Sequence, residues 1–293
     1  MELRQLTYFV KAAETAHFTE SAAALYVTQS TLSQQIKQLE NELGMLLFDR
    51  IGKHVRLTEA GQVFLLHARQ ILLDVEKGKQ AMEDLQNMLT GDLRIGATYA
   101  FTSLLLPALN TFSGKYPGIR IYIEYGNTDD LERKLRSSEL DFMLVFRRDG
   151  ERKDLEKQEL FTSKVVMAVS KKSKLAHLTK INLKSLNGMN LILATKGFSS
   201  RDFLNEVLEK HKVYPAVKIE LNDVHALLSM LENGHWTTLL NERALIGWKN
   251  LVAIPIEGKE LLRRAYIFWQ KGTYRKKATD LFVQELLKGV PMV

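Results

Sequence analysis

The chain has 293 residues and a formal net charge of +7, and its 45% hydrophobic and 26% charged content is typical of a globular protein of two or three domains. It contains no apolar run of about eighteen residues and no cationic N-terminal segment followed by an apolar one, so we expect no membrane span, no signal peptide and a cytoplasmic location. It contains no cysteine, which excludes disulfides, thiolate metal sites and sensing through thiol oxidation.

Three short helices are predicted at the start of the chain. Apolar residues at helical spacing predict the first helix over about residues 2–16, and they are Leu3, Leu6, Phe9, Val10 and Ala13. A second helix is predicted over residues 21–25, with Thr19 as its N-cap. The pattern then breaks before a third helix, which is predicted over residues 29–43 with Thr28 as its cap.

The third helix has two contrasting faces. Its apolar residues recur every three or four positions and form one stripe for burial, namely Leu32, Ile36, Leu39 and Leu43. The opposite face carries amides, hydroxyls and one cation, namely Gln29, Ser30, Ser33, Gln34 and Lys37. Amides hydrogen-bond adenine, hydroxyls reach bases or phosphates, and a cation binds phosphate or guanine, so this face suits the DNA major groove. A polar face that only meets water is the alternative.

A basic hairpin is predicted after the third helix. A turn at Gly52 and Lys53 separates two short extended runs, which is typical of a β-hairpin, or wing. We expect Arg50, Lys53 and Arg56 to contact DNA phosphates or the minor groove, because basic arms do so beside recognition helices. Lys37 of the third helix is a further expected phosphate contact. The alternative is a solvated loop.

A long helix follows, from the cap Thr58 to about Leu89. Its apolar residues are spaced alternately by four and three positions, with one gap at Gly78. These residues are Phe64, Ala68, Ile71, Val75, Met82, Leu85 and Leu89. This heptad pattern predicts a two-helix coiled coil, and hence a homodimer that presents two recognition helices to a pseudo-palindromic DNA site. Packing against the chain's own core is the alternative, but no neighbouring segment carries a matching long stripe.

From Leu93 onwards, short apolar strands alternate with helices. Strands are predicted over residues 93–97, 119–124, 142–146, 165–169, 191–194, 217–221 and 264–269, and helices over 101–112, 129–137, 201–210, 224–232 and 276–287. This alternation is typical of an α/β domain with a largely parallel sheet. The elements fall into two similar sets, which indicates two lobes with a cleft between them.

Residues that follow three of these strands are candidates for binding a small molecule. Ligands of α/β sheets bind beyond the carboxyl ends of strands, where helix N-termini present free N–H groups. The three junctions carry hydroxyls, aromatic rings and cations, which suit an anion such as a small carboxylate. The first junction contains Thr98, Tyr99, Phe101 and Thr102, the second contains Arg147, and the third contains Lys196, Ser199 and Ser200. Helix capping alone is the alternative for Thr98, Thr102 and Ser199, and a surface charge is the alternative for Arg147.

No pattern favours an enzyme or a metal centre. The sequence has no GxSxG elbow, no GxGxxG and no complete phosphate-loop motif. Its seven histidines show neither HxxxH nor HExxH spacing. We therefore expect no catalytic residue, no metal and no cofactor.

The net charge is distributed unevenly. Residues 1–90 carry nine Lys or Arg and eleven Asp or Glu, a net charge of −2, which leaves +9 for the rest of the chain. The case for DNA binding therefore depends on individual charges and on the helical motif, not on overall basicity. The acidic balance supports one alternative, a solute-binding protein whose N-terminal module mediates assembly rather than DNA reading.

The N-terminal motif closely resembles that of the LysR-type transcriptional regulators. The matching residues are Ala22, Ala23, Leu25, Thr28, Gln29, Ser30, Leu32, Ser33, Ile36, Leu39, Glu40, Leu43, Gly44, Leu47, Phe48 and Arg50. The resemblance is close over about the first ninety residues and looser beyond them. It implies a winged helix-turn-helix domain at 1–57, a linker helix that pairs subunits at 58–90, and an effector-binding domain at 91–293 with the two-lobed α/β fold of periplasmic binding proteins.

The resemblance also implies how the chain crosses between the lobes and how the protein works. The first lobe would comprise about 91–161 and 265–293, and the second about 162–264, with the inducer between them at the three junctions named above. The implied function is a sequence-specific DNA-binding transcriptional regulator controlled by a small-molecule effector. The implied partners are double-stranded DNA, a second subunit, a further dimer to make a tetramer, and RNA polymerase.

Overall fold

The computed structural model describes residues 1–51, 54–85, 89–147 and 153–290. Gly52 and Lys53 of the predicted turn lie outside these ranges, and the side chains of Arg50 and Leu85 are likewise outside the described part. The chain divides into two compact units, Met1–Asn87 and Met88–Val293. Within the described ranges, no helix has the length and apolar character needed to cross a membrane.

The first unit is a helical domain with a two-stranded hairpin. Its elements are helix α1 (Leu3–Thr15), helix α2 (Phe18–Ala24), helix α3 (Gln29–Leu43), strand β1 (Phe48–Ile51), strand β2 (His54–Leu57) and helix α4 (Glu59–Leu85). The predicted cap of α3 is present, because the Thr28 side chain accepts the N–H of Thr31. The prediction that Thr19 caps α2 is wrong. Phe18 is buried with its ring centroid 5.4 Å from that of Phe48, and the helix begins at this buried residue.

The core of this unit is aromatic at its centre. The ring centroid of Phe9 lies 5.4 Å from those of both Phe48 and Phe64. The side chains that α3 contributes to this core are Leu32, Ile36 and Leu39, each 0% exposed. Leu43 is 37% exposed, so the prediction that it completes the buried stripe is wrong. It is the last residue of α3, and Gly44 turns the chain away with a φ of +69°.

The start of α4 is fixed against the end of α3. The Thr58 hydroxyl caps α4 by accepting the N–H of Gly61 at 2.9 Å, as predicted, and donates to the carbonyl of Leu46 at 2.7 Å. Gly61 is required here, because a Cβ atom would lie 2.1 Å from the carbonyl oxygen of Leu47. The predicted end of the helix at Leu89 is wrong, since Leu89 is not helical and packs against the core of the second unit.

The apolar stripe of α4 is used partly within its own unit. Ala68 is fully buried, and Phe64 and Ile71 pack against the same core, which α1 also contacts. For these three residues the alternative considered from the sequence, packing against the chain's own core, therefore holds. Val75 is half-buried, and Met82 is 57% exposed.

The second unit is built on one mixed sheet with helices packed against it. Its strands are β3 (Gly91–Ala97), β4 (Ile119–Tyr125), β5 (Phe142–Arg147), β6 (Leu155–Ser170), β7 (Ile181–Asn182), β8 (Asn190–Ala194), β9 (Ala216–Leu221), β10 (Thr237–Asn241), β11 (Leu251–Glu257) and β12 (Leu262–Gln270). Its α-helices are α5 (Thr102–Lys115), α6 (Thr128–Arg136), α7 (Ser199–Lys210), α8 (Val224–Glu232) and α9 (Lys277–Leu287). Each predicted strand and helix of this part overlaps one of them, whereas β7, β10 and β11 were not predicted.

Two long strands join the lobes of this unit. The sheet order is β4-β3-β5-β12-β6-β10-β8-β9, with β11 beside β6. Residues 155–164 of β6 pair with β12, and residues 165–170 pair with β10 and β11, so β6 passes from one lobe into the other. These pairings are antiparallel, as is β12 with β5, so the sheet is mixed and its predicted parallel character holds only within the lobes. The parallel pairs lie within the lobes, where β3 joins β4 and β5, and β8 joins β9 and β10.

One buried carboxylate connects α3 to the hairpin, and its removal is expected to destabilise the first unit. Glu40 is 4% exposed, and its Oε1 accepts the N–H groups of Leu47 (2.8 Å) and Phe48 (3.2 Å). Glu40→Ala leaves both N–H groups without this acceptor, which should lower the free energy of unfolding by about 2–3 kcal/mol. Urea denaturation followed by circular dichroism measures the change.

The matched control is Gln38→Ala, at an exposed position of the same helix. It should change the free energy of unfolding by less than about 0.5 kcal/mol. Equal stability of the Glu40→Ala and control variants would contradict a structural role for the carboxylate.

Candidate functional site

The first candidate site is the outer face of α3. Gln29, Ser30, Gln34 and Lys37 are exposed and Ser33 is half-buried. The face points outward because the residues on the opposite side of the helix are fully buried in the core. This arrangement offers amide, hydroxyl and ammonium groups on one convex surface, which is what a helix needs to enter a DNA groove.

Hydroxyl groups fix the first turn of this helix. The Thr28 Oγ1 atom lies 2.9 Å from the Ser30 hydroxyl and 2.8 Å from the Thr31 hydroxyl, and it accepts the Thr31 N–H at 3.2 Å. A hydroxyl has one donor and two acceptor positions, so Ser30 keeps capacity for a further partner. The first turn is thus held by short local bonds while its outer side remains available.

The hairpin supplies the second part of this site. Val55 of β2 is buried and its N–H donates to the carbonyl of Ala16 at 3.2 Å, which anchors the strand to the helical core. The next residue, Arg56, therefore points to the other side of the strand and is exposed. Arg50 and Lys53, predicted as phosphate contacts, lie outside the described side chains.

Tyr26, at the break in the helical pattern before the third helix, lies in the turn between α2 and α3. Its side chain is 96% exposed, and its φ is +55°, a conformation that costs a bulky residue about 1–3 kcal/mol. No burial offsets this cost, so the residue is a candidate for contact with a partner beside α3. The sequence feature that could have identified Tyr26 as a candidate contact is an aromatic residue in the turn of a helix-turn-helix motif.

The second candidate site is a cleft between the lobes of the second unit. Its inner cavity has a volume of about 60 Å³. The first lobe contributes Thr98, Tyr99 and Phe146, and the second contributes Ser199, Val224 and Asn241. Apolar side chains make up most of the wall, and a few polar groups converge on it, as in many small-molecule sites.

Arg263 is the charged residue that lines the inner cavity. It is 6% exposed, and its Nη2 donates to the carbonyl of Phe146 at 2.8 Å and to the Ser199 hydroxyl at 3.3 Å. The guanidinium also lies over the rings of Phe203, at 5.0 Å, and Phe146, at 5.6 Å. A buried cation thus connects one strand of the first lobe with one helix of the second.

Two further groups give the cavity hydrogen-bond donors. The Oδ1 of Asn241 accepts from the Ser163 hydroxyl and from the N–H of Arg243, both at 3.0 Å. Its Nδ2 is buried and has no hydrogen-bond partner among the described residues. Burial raises the pKa of Tyr99 above its ordinary value of 10.0, so its phenol stays protonated at neutral pH and can donate.

An outer cavity of about 200 Å³ continues the cleft and shares Phe146, Ser199 and Arg263 with the inner one. Arg147 lines it and forms an ion pair with Glu132, which also pairs with Arg136 at 2.6 Å. Carboxylates on this outer wall belong to Asp129, Asp202 and Glu206. The outer part is therefore more acidic than the inner part.

The predicted cleft residues separate into two groups. Thr98, Tyr99, Ser199 and Ser200 line the inner cavity, and Arg147 lines the outer one. The expectation that Phe101, Thr102 and Lys196 face the cleft is corrected, because these residues line neither cavity.

Each of these three exceptions has a physical reason. Phe101 is fully buried, with its ring centroid 4.9 Å from that of Phe146. The Thr102 hydroxyl donates to the Tyr99 carbonyl at 2.7 Å, a local bond to the preceding turn and not a helix cap, since the N-cap of α5 is Phe101. Lys196 is exposed on the loop before α7.

Sequence reasoning missed Arg263 and Asn241. They lie at the start of β12 and the end of β10, far along the chain from the three junctions. Only the sheet order places them beside the cleft. The sequence feature that could have identified Arg263 as a cleft residue is its position as a basic residue just before an apolar strand.

Two protein-family models match the chain. The model of the bacterial regulatory helix-turn-helix proteins of the lysR family matches residues 3–62, and that of the LysR substrate binding domain matches residues 86–291. The chain is 31% identical to a probable RuBisCO transcriptional regulator of Thalassiosira pseudonana, over 97% of this chain and 96% of that protein. It is 30% identical to the transcriptional dual regulator GltC of Bacillus subtilis (strain 168), over 92% of this chain and 91% of that protein.

The fold is also similar to that of a solved complex. The crystal structure of full-length CbnR complexed with its target DNA superposes with a TM-score of 0.73 at 21% identity, over 99% of this chain and 100% of that chain.

Proposed function

The chain belongs to the LysR family of bacterial helix-turn-helix regulators, and from that membership we propose which side chains read DNA, pair subunits and bind the effector. It is a DNA-binding transcriptional regulator with an effector-binding α/β domain. We propose a winged helix-turn-helix domain at 1–57, a linker helix at 58–90 and an effector-binding domain at 91–293. Members of this family are regulators, not enzymes in general, and this one would act in the cytoplasm, where bacterial DNA lies.

The polar face of α3 reads the DNA bases in this proposal. The observation that supports it is the row of exposed amides and hydroxyls opposite a fully buried stripe. Gln29, Ser30, Ser33 and Gln34 contact base edges. Phosphates are contacted by Lys37, Arg50, Lys53 and Arg56, with Tyr26 as a further contact from the turn. The competing assembly-module hypothesis is disfavoured, because residues 3–62 match a helix-turn-helix family of DNA-binding regulators.

A second copy of the chain pairs with α4. Apolar side chains on this helix remain exposed after the unit has folded, with Val63 57%, Leu66 68% and Met82 57% exposed. Near its start, Leu43, Met45 and Val63 are among the residues that line an apolar groove of about 440 Å³. Exposed apolar surface of this extent is typical of an interaction site. Phe64, Ala68 and Ile71 then support α4 from within, while Val63, Leu66, Val75 and Met82 face the partner.

Pairing has a direct consequence for DNA recognition. A symmetric dimer presents two copies of α3 to two half-sites. Two such dimers would form a tetramer, and contact with RNA polymerase would follow from their placement on the promoter.

The effector is a small anion bound in the inner cavity. Arg263 supplies a buried positive charge, and Asn241 Nδ2 and the Tyr99 phenol supply donors. Charge-assisted hydrogen bonds of this kind favour carboxylates and phosphates. The volume of about 60 Å³ limits the bound part to a few non-hydrogen atoms, so we propose a small organic acid.

Binding is coupled to the angle between the lobes. The anion would contact Arg263 together with groups from both lobes, so it stabilises one lobe arrangement over others. The lobes are joined by β6 and β12, and a change in their angle alters how subunits are placed and how the DNA is held.

The first prediction concerns base reading. Gln34→Ala should weaken binding of the protein to the DNA upstream of its own coding region by about 1–3 kcal/mol, because a bidentate amide contact is lost. Lys37→Gln should instead reduce the slope of log affinity against log salt by about 1. Fluorescence anisotropy in a salt titration, with a scrambled duplex as reference, measures both.

Gln62→Ala is the control, since Gln62 is exposed in the same domain but lies outside α3. It should bind DNA as the wild type does. Binding by Gln34→Ala that matches the control on both duplexes would refute the assigned reading face.

The second prediction concerns the dimer. The double substitution Val63→Ser and Leu66→Gln should raise the dimer dissociation constant at least about tenfold. The reason is that burial of each apolar side chain in the dimer contributes roughly 1–3 kcal/mol to its stability. Sedimentation velocity over a concentration series measures it. These residues are preferred to Phe64, whose truncation would also damage the core of the domain.

Circular dichroism should show the same helical content in the double variant and in the wild type. Lys79→Ala, at an exposed position of α4, is the control and should dimerise normally. An unchanged dimer in the double variant would rule out this face of the helix.

The third prediction concerns the effector. In a thermal-shift screen of small carboxylates and phosphates, an acid that raises the melting temperature of the wild type should fail to do so for Arg263→Gln and Ser199→Ala. At a hundred times its dissociation constant such an acid stabilises the wild type by about 2.7 kcal/mol. Lys196→Gln, which removes an exposed charge outside the cavity, should respond like the wild type.

Because Arg263 also packs between the lobes, its replacement affects stability without ligand. Ser199→Ala keeps the test valid if the Arg263 variant unfolds. Full protection of both variants by the same acid would place its binding site elsewhere.

A further inference from the structure

The positive charge of this regulator is concentrated in a part of the chain that the proposed DNA-reading face does not use. Residues 160–201 contain seven lysines and one arginine and no aspartate or glutamate. Residues 1–90, by contrast, have a net charge of −2. Residues 1–57, proposed as the DNA-reading domain, carry six basic and six acidic residues and no net charge, so the basic charge lies in the effector domain. This is the reverse of the usual expectation for a DNA-binding protein.

Part of this charge is gathered at one end of the second lobe. Three segments meet where β6 ends: 171–174, 233–236 and 249–250. The N–H of Lys171 donates to the carbonyl of Asn250 at 2.8 Å, beside Lys249. A Cβ atom on Gly234 would lie 3.6 Å from that of Lys172. The strand registers agree with this, since Leu251 lies opposite Ser170 and Thr237 opposite Val169.

The cluster formed there, called the lysine patch below, consists of Lys171, Lys172, Lys174 and Lys249. All four side chains are exposed. Within the described part of the chain, none of the four forms an ion pair with a carboxylate. None of the three segments contains an aspartate or glutamate, and His235 lies in the second of them. The adjacent carboxylate in sequence, Glu232, is half-buried in α8.

Three lysines elsewhere in this unit are paired with carboxylates. Lys180 lies 2.7 Å from Glu257, Lys210 lies 3.1 Å from Glu260, and Lys288 lies 2.8 Å from Glu285. Each of these charges is largely compensated by its neighbour. The lysine patch is therefore a local source of positive potential that is not compensated in this way.

We propose that the lysine patch binds the phosphate backbone of double-stranded DNA, as a second, sequence-independent contact made by the effector-binding domain. This inference rests on the DNA-binding function given above and extends it to a surface outside the helix-turn-helix. The patch contains only lysines, which act as point charges toward phosphates, and no arginine for bidentate base reading.

DNA fits this patch better than an acidic protein does. Lysine is depleted from protein–protein interfaces, whose energy comes from buried aromatic and apolar anchors. The tryptophans nearest to the patch, Trp236 and Trp248, are half-buried in the core of the lobe and are not available as anchors. DNA instead presents one phosphate charge per about 1.7 Å of helix axis. It is also already tethered to this chain by the first domain, which raises its effective concentration.

The test compares two triple variants of the full-length protein. Lys171→Gln, Lys172→Gln and Lys174→Gln together remove most of the patch. Lys180→Gln, Lys210→Gln and Lys288→Gln remove the same net charge from paired positions. Fluorescence anisotropy measures the affinity of each protein for a long duplex of mixed sequence as the salt concentration is varied.

The patch variant should bind more weakly than the wild type. Its slope of log affinity against log salt should be smaller by about 3, since each lost phosphate contact contributes about 0.9. When salt is raised from about 50 to 200 mM, the wild type should therefore lose affinity by a factor roughly forty times larger than the factor lost by the patch variant. The control variant should keep a slope close to that of the wild type.

Three outcomes would overturn the proposal. The patch variant could match the wild type in affinity and slope, or the control could lose as much as the patch variant, which would indicate a general effect of net charge. The patch variant could also keep its DNA binding but fail to activate transcription with purified RNA polymerase, which would assign the patch to an acidic protein surface. A wild type that binds no duplex at all would instead refute the DNA-binding function itself.

Discussion

The effector-binding domain depends on the antiparallel pairing of β6 with β12. These two strands connect the lobes, and the inner cavity lies between the lobes that they join. The same pairing positions Arg263 near the start of β12, where its guanidinium reaches the carbonyl of Phe146 and the hydroxyl of Ser199. A buried cation is costly unless partners satisfy it. An anion bound in the cavity would add a charged partner to Arg263 at the point where the lobes meet.

Much of the fold was predictable because its elements have clear periodicity. Helices α3 and α8 begin and end at the residues predicted from the sequence, 29–43 and 224–232. The first half of β6 was missed because residues 155–160 are mostly polar and exposed, and only their pairing with β12 makes them a strand. The stripe of α4 was read as an intersubunit seam, but α1 covers part of it, and heptad spacing does not distinguish a partner helix from a neighbour in the same domain.

The site was only partly predictable, for a related reason. The rule that ligands bind beyond the carboxyl ends of strands located Thr98 and Ser199, which are local to a strand and helix junction. It could not locate Arg263 or Asn241, because they reach the cleft through sheet order, which short-range patterns do not encode. Phe101 was misplaced because an aromatic ring after a strand suits a cleft wall as well as a core. Only the neighbouring rings of Phe146 and Phe161, which pack against it, decide between the two.

The separation of charge between the two units has a functional consequence. A reading domain without a net positive charge should bind non-specific DNA weakly, so its affinity would depend more on the proposed base contacts of α3. Phosphate attraction by lysines of the effector-binding domain adds affinity only when that domain is placed against the DNA. A ligand that changes the angle between the lobes would move the lysine patch together with the second lobe. Effector binding would then regulate a sequence-independent part of the affinity and leave base recognition unchanged.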